Sequence, residues 1–216
     1  MRRDGRVPVL RLSTVRVRHA VAADLPALAG TLARAFADDQ LFSWVYESVA
    51  GDARERRLEA FFDVCLRAGL TRGHTYAAEG DVAAALWAPP DVGVFDDAHV
   101  EELILLLAGH LGGRAELVGE AFSTISDAHP HDVPHFYLFV LGTAPDARGR
   151  GIGGALLRHV LATCDRDGLP AYLESSDPRN VPLYERHGFR VLSELEVVPG
   201  GPVVRPMWRD PRPSVT

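Results

Sequence analysis

Apolar residues recur along this chain with two different periods, and the changes of period mark the elements. Residues 14–19 alternate (Val15, Val17 apolar; Arg16, Arg18 polar) and read as a first strand. Leu25, Leu28, Leu32 and Phe36 then share one helical face up to Ala37, with Asp24 placed to cap it. Residues 38–47 read as a loop carrying Phe42, Trp44 and Tyr46. A second helix is expected over 53–70, with Leu58, Phe61, Phe62, Cys65 and Leu66 apolar. Residues 75–79 and 82–87 suggest a hairpin across Gly80-Asp81, ended by Pro89-Pro90. Two helices follow, 99–111 and 114–127, broken at Gly112-Gly113. The run Phe136-Tyr137-Leu138-Phe139-Val140-Leu141 has strand length and composition, and 155–161 has amphipathic helical spacing. Beyond it come a strand at 171–174, a short helix at 181–187 and a last hairpin of 189–198 with 203–209. Pro206 marks that final strand as an exposed edge.

Length and charge narrow this picture. At 216 residues the chain can build one substantial core, so a single domain over 1–216 is expected. Within it, 1–13 reads as a flexible extension and 98–128 as a helical insertion. The net charge of −6 argues against nucleic acid or an anionic membrane as partner. No apolar run has the length of a membrane span, and residues 1–13 lack the apolar core of an export signal. Cys65 and Cys164 lie in helical patterns far apart and read as reduced, buried thiols of a cytoplasmic protein.

The chemistry is concentrated after the 136–141 strand. Residues 143–147 lead into Arg148-Gly149-Arg150-Gly151-Ile152-Gly153-Gly154 and then directly into a helix. A helix start offers N–H groups without intrahelical partners and a positive dipole end, which suits a phosphate. Side chains at Gly149, Gly151 and Gly153 would keep a diphosphate from that backbone, while Arg148 and Arg150 add full charge. Gly149-x-Gly151-x-x-Gly154 also satisfies the dinucleotide fingerprint. That motif needs its first glycine almost at the strand end and a doubly wound sheet after it, and neither condition is met here. A Walker loop is excluded because all 23 basic residues are arginine.

Arg148-x-x-Gly151-x-Gly153 after a strand resembles the signature of the GNAT superfamily of acetyl-CoA-dependent N-acyltransferases. The segment 173–189 (Leu173-Glu174-Ser175-Ser176 through Asn180-Val181-Pro182-Leu183-Tyr184-Glu185-Arg186-His187-Gly188-Phe189) resembles the puromycin N-acetyltransferase-like branch in particular. The resemblance implies an α/β fold with a mixed, mostly antiparallel twisted sheet, a splayed central strand pair and helices on both faces. It implies acetyl-CoA as cosubstrate, its arm held by the backbone of Leu141 and Thr143, with Gly142 suited to a bulge. It assigns the pyrophosphate to Arg148, Gly149, Arg150, Gly151, Ile152 and Gly153, makes Asn180 a cofactor contact, and makes Tyr184 the acid facing the departing thiolate. A phenol of pKa near 10 facing a thiol near 8.5 makes full proton transfer uphill by roughly 2 kcal/mol, so Tyr184 is read mainly as a hydrogen-bond donor.

Glu174, at a strand end beside the splayed strand, reads either as the base for the amine or as an ordinary salt-bridge partner. His135 is a second base candidate, at the mouth of the central strand, and a candidate substrate contact. The spacing His129-x-His131-x-x-x-His135 invites a metal reading, but Pro130 and Pro134 extend the chain and no fourth ligand is near, so no metal is expected. Phe42 and Trp44, with Asp38, Asp39, Asp96 and Asp97, suit a cationic, partly apolar amine and equally suit a solvated surface. The resulting expectation is an N-acetyltransferase acting on a small-molecule amine, as monomer or homodimer. A non-catalytic acyl-CoA-binding module and a nucleotide-binding protein are the alternatives.

Overall fold

The computed structural model describes residues 15–212; Thr14 and the expected extension at 1–13 lie outside the described residues. The elements are β1 (Val17–His19), α1 (Leu25–Ala35), α2 (Gln40–Val45), α3 (Asp52–Arg72), β2 (Thr75–Ala78), β3 (Ala83–Ala88), α4 (Asp97–Leu111), α5 (Ala115–Asp127), β4 (Phe136–Thr143), α6 (Ile152–Asp167), β5 (Ala171–Ser175), α7 (Val181–Arg186), β6 (Arg190–Val191), β7 (Leu195–Glu196) and β8 (Val203–Arg209). The sheet order is β1-β2-β3-β4-β5-β8-β6, with β7 also on β8. Every pairing is antiparallel except β4 with β5.

Helices cover both faces of this sheet. On one face Leu28, Leu32, Leu58, Phe62 and Leu66 of α1 and α3 pack on Ala84, Leu86 and Val140. On the other Leu156, Leu157, Val160 and Cys164 of α6 pack on Trp87, Leu138, Leu173 and Met207. β3 is buried along its whole length, as a strand covered on both faces should be, and its alanines let both helical layers sit close. The β2–β3 turn places Gly80 and Asp81 at φ of 79° and 53°, the two positive values that a tight hairpin turn of the primed type demands.

The feature that positions the site is the divergence of β4 from β5. Their parallel pairing covers only Phe136↔Ala171, Tyr137↔Tyr172 and Leu138↔Leu173. β4 then continues to Thr143 along β3, while β5 follows β8, and a wedge opens between them. The pairing of β3 with β4 slips by one residue between Leu86 and Trp87, opposite Val140 and Leu138, so the extra residue is Phe139. Tyr137, Phe139 and Val140 consequently pack toward the α1–α3 face, whereas Leu138 and Leu141 pack toward α6.

The expected bulge at Gly142 is therefore misplaced. Gly142 pairs regularly with Ala84, and its lack of a side chain serves packing: a Cβ there would stand 2.6 Å from Leu32 and 3.1 Å from Ala35. Residues 38–47 are not a loop throughout, because Asp39 caps α2 by accepting from the N–H groups of Leu41 and Phe42. Asp24 precedes α1 but its carboxylate accepts from Val21 N–H and Arg18 instead of capping that helix. β8 is not an edge either. It lies between β5 and the β6/β7 segments, and Pro206 is buried. The Pro206 carbonyl accepts from Leu192 N–H, so its nitrogen faces the gap between β6 and β7, where no ladder bond is lost.

Candidate active site

Two adjoining cavities meet at the wedge and share Phe61, Phe122, Ile125, Tyr137, Phe139 and Glu174. The smaller, about 100 Å³, is the wedge itself, walled by Leu138 to Leu141 on β4 and by Leu173 to Ser176 at the end of β5, with Asn180 and Tyr184 beyond. The larger, about 850 Å³, lies between α4, α5, the 89–95 segment and the 128–135 segment. Its lining is mostly apolar, with Phe95, Leu103, Leu107, Phe122 and Phe139 among the walls and Glu174 at the inner end.

The backbone along the wedge is ready for a partner. Ala144 N–H donates to the Val82 carbonyl, so by strand alternation the peptide of Gly142 faces β3 and those of Leu141 and Thr143 face the wedge. α6 begins beside them, its first intrahelical donor being Ala155 N–H to the Gly151 carbonyl, 3.0 Å. The N–H groups of Ile152, Gly153 and Gly154 thus lack intrahelical acceptors. The glycines of this loop have distinct reasons. Gly149 and Gly151 adopt φ of 75° and 76°, which glycine alone takes without strain. A Cβ on Gly153 would stand 3.7 Å from Leu183 and Thr143 and 3.9 Å from Leu141, in ordinary contact where the end of β4 meets α7. At Gly154 it would meet His187, which makes that glycine a contact between α6 and the C-terminal end of α7. A long chain ending in a diphosphate fits this run of open N–H groups.

The two arginines are engaged. Arg148 donates to the Ala35 carbonyl at 2.7 Å and to the Thr143 carbonyl, tying the end of α1 to the end of β4. Arg150 donates to the Asp146 carbonyl. Both side chains sit on the rim beside the α6 start, where a phosphate can take over their donors. Gly153→Val is expected to raise the dissociation constant for acetyl-CoA at least tenfold, about 1.4 kcal/mol, with the fold intact because the site has room for a Cβ. Calorimetry on the folded variant measures this; unchanged affinity sinks the placement.

Tyr184 is buried on α7, with no hydrogen-bond partner among the described residues, and lines the wedge. Burial, and after it the nearby Asp39 carboxylate, push its pKa well above the ordinary phenol value. Ionisation is thus disfavoured, and the hydroxyl is suited to donate a hydrogen bond without giving up its proton. Asp39 is itself buried, which raises its pKa, and accepts from Ser176 at 2.6 Å, so α2 is fastened to the end of β5.

Glu174 sits on β5 at the junction of the two cavities, its side chain 8% exposed. Its Oε1 is buried, has no hydrogen-bond partner among the described residues, and lies 3.7 Å from His129 Nδ1. Burial, followed by the charge of Glu174, raises the pKa of Tyr137 and Tyr172, holding both neutral. His135 is buried at the same end, its pKa lowered chiefly by burial.

The structure brings Tyr184, Glu174, Asn180 and Leu141 to one cleft, and sets Phe42 in its wall; Arg148 to Gly153 do not line that cavity. It does not bring Trp44 there: Trp44 lines neither cavity and carries the Arg114 guanidinium 5.2 Å above its ring. Asp39 and Asp96 are helix caps and line neither cavity. His129 carried no role in the sequence except within the metal pattern, because its meeting with Glu174 depends on how the 128–135 segment folds back on β5. Among the described residues no cluster of three or more His, Cys, Asp or Glu side chains could hold a metal.

The sheet thus opens next to a helix start with unpaired N–H groups, and Glu174 and Tyr184 both line the opening. The sequence profile of the acetyltransferase (GNAT) family matches residues 85–189 of this chain. An uncharacterized N-acetyltransferase of Schizosaccharomyces pombe is 26% identical over 178 residues, covering 78% of this chain and 71% of that protein. The crystal structure of histone acetyltransferase HPA2 and related acetyltransferase from Corynebacterium glutamicum superposes with a TM-score of 0.68 at 26% identity, over 94% of this chain and 99% of that one. Arylalkylamine N-acetyltransferase 2 from Aedes aegypti shares the fold at a TM-score of 0.62 and 15% identity, over 92% and 99% of the two chains. The mixed, mostly antiparallel sheet with helices on both faces is thus the expected fold. No helix among the described residues is long and apolar enough to cross a membrane.

Proposed function

We propose that this chain transfers the acetyl group of acetyl-CoA to a small-molecule primary amine carried on an apolar body, by direct attack of the amine on the thioester. The observation that carries this is the meeting of two cavities at Glu174. One is a narrow wedge with open backbone N–H groups, and the other is a roomy apolar chamber. The Leu141 and Thr143 peptides and the α6 start hold the arm and the diphosphate. A wedge N–H polarises the thioester carbonyl, worth a few kcal/mol per donor. Glu174 takes the amine proton, and Tyr184 donates a hydrogen bond to the leaving sulfur. Cys65 and Cys164 are buried, and burial raises both pKa values, that of Cys164 to about 12, so neither supplies a thiolate for a covalent route.

The aminoacyl kind of amine is the reading suggested by the likeness of residues 173–189 to the puromycin N-acetyltransferase-like branch. Amine basicity supports it. A lysine-like amine near pKa 10.4 is neutral in about one molecule in 2,500 at pH 7, whereas an α-amino group near 8 is neutral in about one in ten. The inner end of the acceptor chamber holds one carboxylate, Glu174, to remove a proton. An aminoacyl amide is therefore expected to be used at least about tenfold better than its ε-amino isomer at pH 7, the gap narrowing toward pH 9. Specificity constants for the two isomers across that range decide it, and a preference for the ε-amine at pH 7 overturns this substrate class.

A further inference from the structure

The inner end of the acceptor chamber holds a pair of histidines with no role in the scheme above. His135 Nδ1 stands 2.7 Å from the Val133 carbonyl, and a carbonyl only accepts, so that nitrogen carries the ring proton. Burial lowers the pKa of His135, which keeps the ring neutral and leaves Nε2 as an acceptor. His129 Nε2 lies 3.1 Å from it, and the contact is a hydrogen bond when His129 carries its proton on that nitrogen. His129 Nδ1 is then open and faces Glu174 Oε1 at 3.7 Å. That oxygen is buried and unpaired among the described residues. A proton arriving at Glu174 thus has one adjacent basic lone pair to move to.

We propose that His129 is the proton acceptor behind Glu174 in acetyl transfer, and that His135 is a positioning residue holding His129 in the tautomer with Nδ1 open. This rests on the acetyl-transfer reading. The amine N–H bond breaks as an O–H bond forms on Glu174; that O–H then breaks as Nδ1–H forms on His129. The imidazolium returns the proton to water through the chamber, where the His129 side chain is 20% exposed against 8% for Glu174. The C–S bond of the thioester breaks as the C–N bond forms, and the thiolate departs with a hydrogen bond from Tyr184 and takes its proton from water. The imidazole thus gives the amine proton a way out of the buried carboxylate toward the more exposed part of the chamber.

The titratable groups facing His129 are Glu174 and Tyr172 from β5, Tyr137 from β4, and His131 and His135 from its own segment. Burial raises the pKa of both tyrosines and holds them neutral, and Glu174 is the carboxylate among these neighbours.

The test compares a strongly basic alkylamine with a weakly basic arylamine that is already neutral at pH 7. His129→Ala is expected to lower kcat/KM for the alkylamine at least about tenfold and for the arylamine less than about threefold, with added imidazole restoring the former. His129→Gln keeps shape and a donor but accepts no proton, and should reproduce the loss without imidazole rescue. His135→Asn should lower kcat at unchanged KM and displace the acidic limb of the pH–rate profile. Equal losses on both amines without imidazole rescue, or a wild-type rate for His129→Gln, overturn the relay. A wild-type protein that acetylates neither amine overturns the acetyl-transfer reading itself, which separates the two failures.

Discussion

Replacing Glu174 with glutamine is expected to lower kcat/KM for a basic amine by about 10²–10⁴-fold while leaving acetyl-CoA affinity unchanged. The expectation follows from position. The carboxylate borders both cavities, its side chain is almost fully buried, and Oε1 has no hydrogen-bond partner among the described residues. Burying a carboxylate charge costs stability, so the same substitution should leave thermal stability equal or higher. This combination of lost rate and kept or gained stability is the signature of a residue serving chemistry. A Glu174→Gln protein that turns over a basic amine at the wild-type rate would return Glu174 to the ordinary salt-bridge role that its strand-end position also allows.

Tyr184→Phe carries the second large effect. Only a hydroxyl is removed, the ring stays in its place against Phe189, and folding and cofactor affinity should survive. The rate should fall by about 10²–10⁴-fold, because the departing sulfur loses its donor. Since burial and Asp39 push the Tyr184 pKa upward, the hydroxyl remains protonated through the working range. The wild-type pH–rate profile should therefore show no limb from Tyr184 below pH 10. A leaving thiol of lower pKa needs less help, so a poorer donor should matter less for acyl donors with more acidic thiols. If Tyr184→Phe reduced every donor equally, or none, the residue would be packing on the sheet.

How much of this was legible before the fold was seen depends on the range of the forces involved. The strand, glycine turn and helix of 136–161 are local: apolar run, φ-demanding glycines and amphipathic spacing all lie within one short stretch. The hairpin at Gly80-Asp81 was legible for the same reason. α2 was hidden because six residues give too little periodicity, although Asp39 three positions before Phe42 was its capping signal. The bulge falls at Phe139 because the β3–β4 register slips where β4 leaves β5, a tertiary constraint that Gly142 could not report. Trp44 lies outside both cavities because Arg114, from the α4–α5 connection, stacks over it, a long-range contact that the sequence does not report. The meeting of His129 with His135 and Glu174 joins a proline-rich segment to the end of β5, and nothing local predicts it.

Reaction of acetyl-CoA with an apolar monoamine, followed by thiol release and by mass spectrometry of the amine, addresses the central claim most directly. The account predicts amine-dependent thiol release with one acetyl group gained on nitrogen, abolished to within about 1% by Glu174→Gln and by Tyr184→Phe. Tight binding of acetyl-CoA with no acetylated product from any member of an amine panel would contradict it, and would leave the wedge as a cofactor-binding cleft without transfer chemistry.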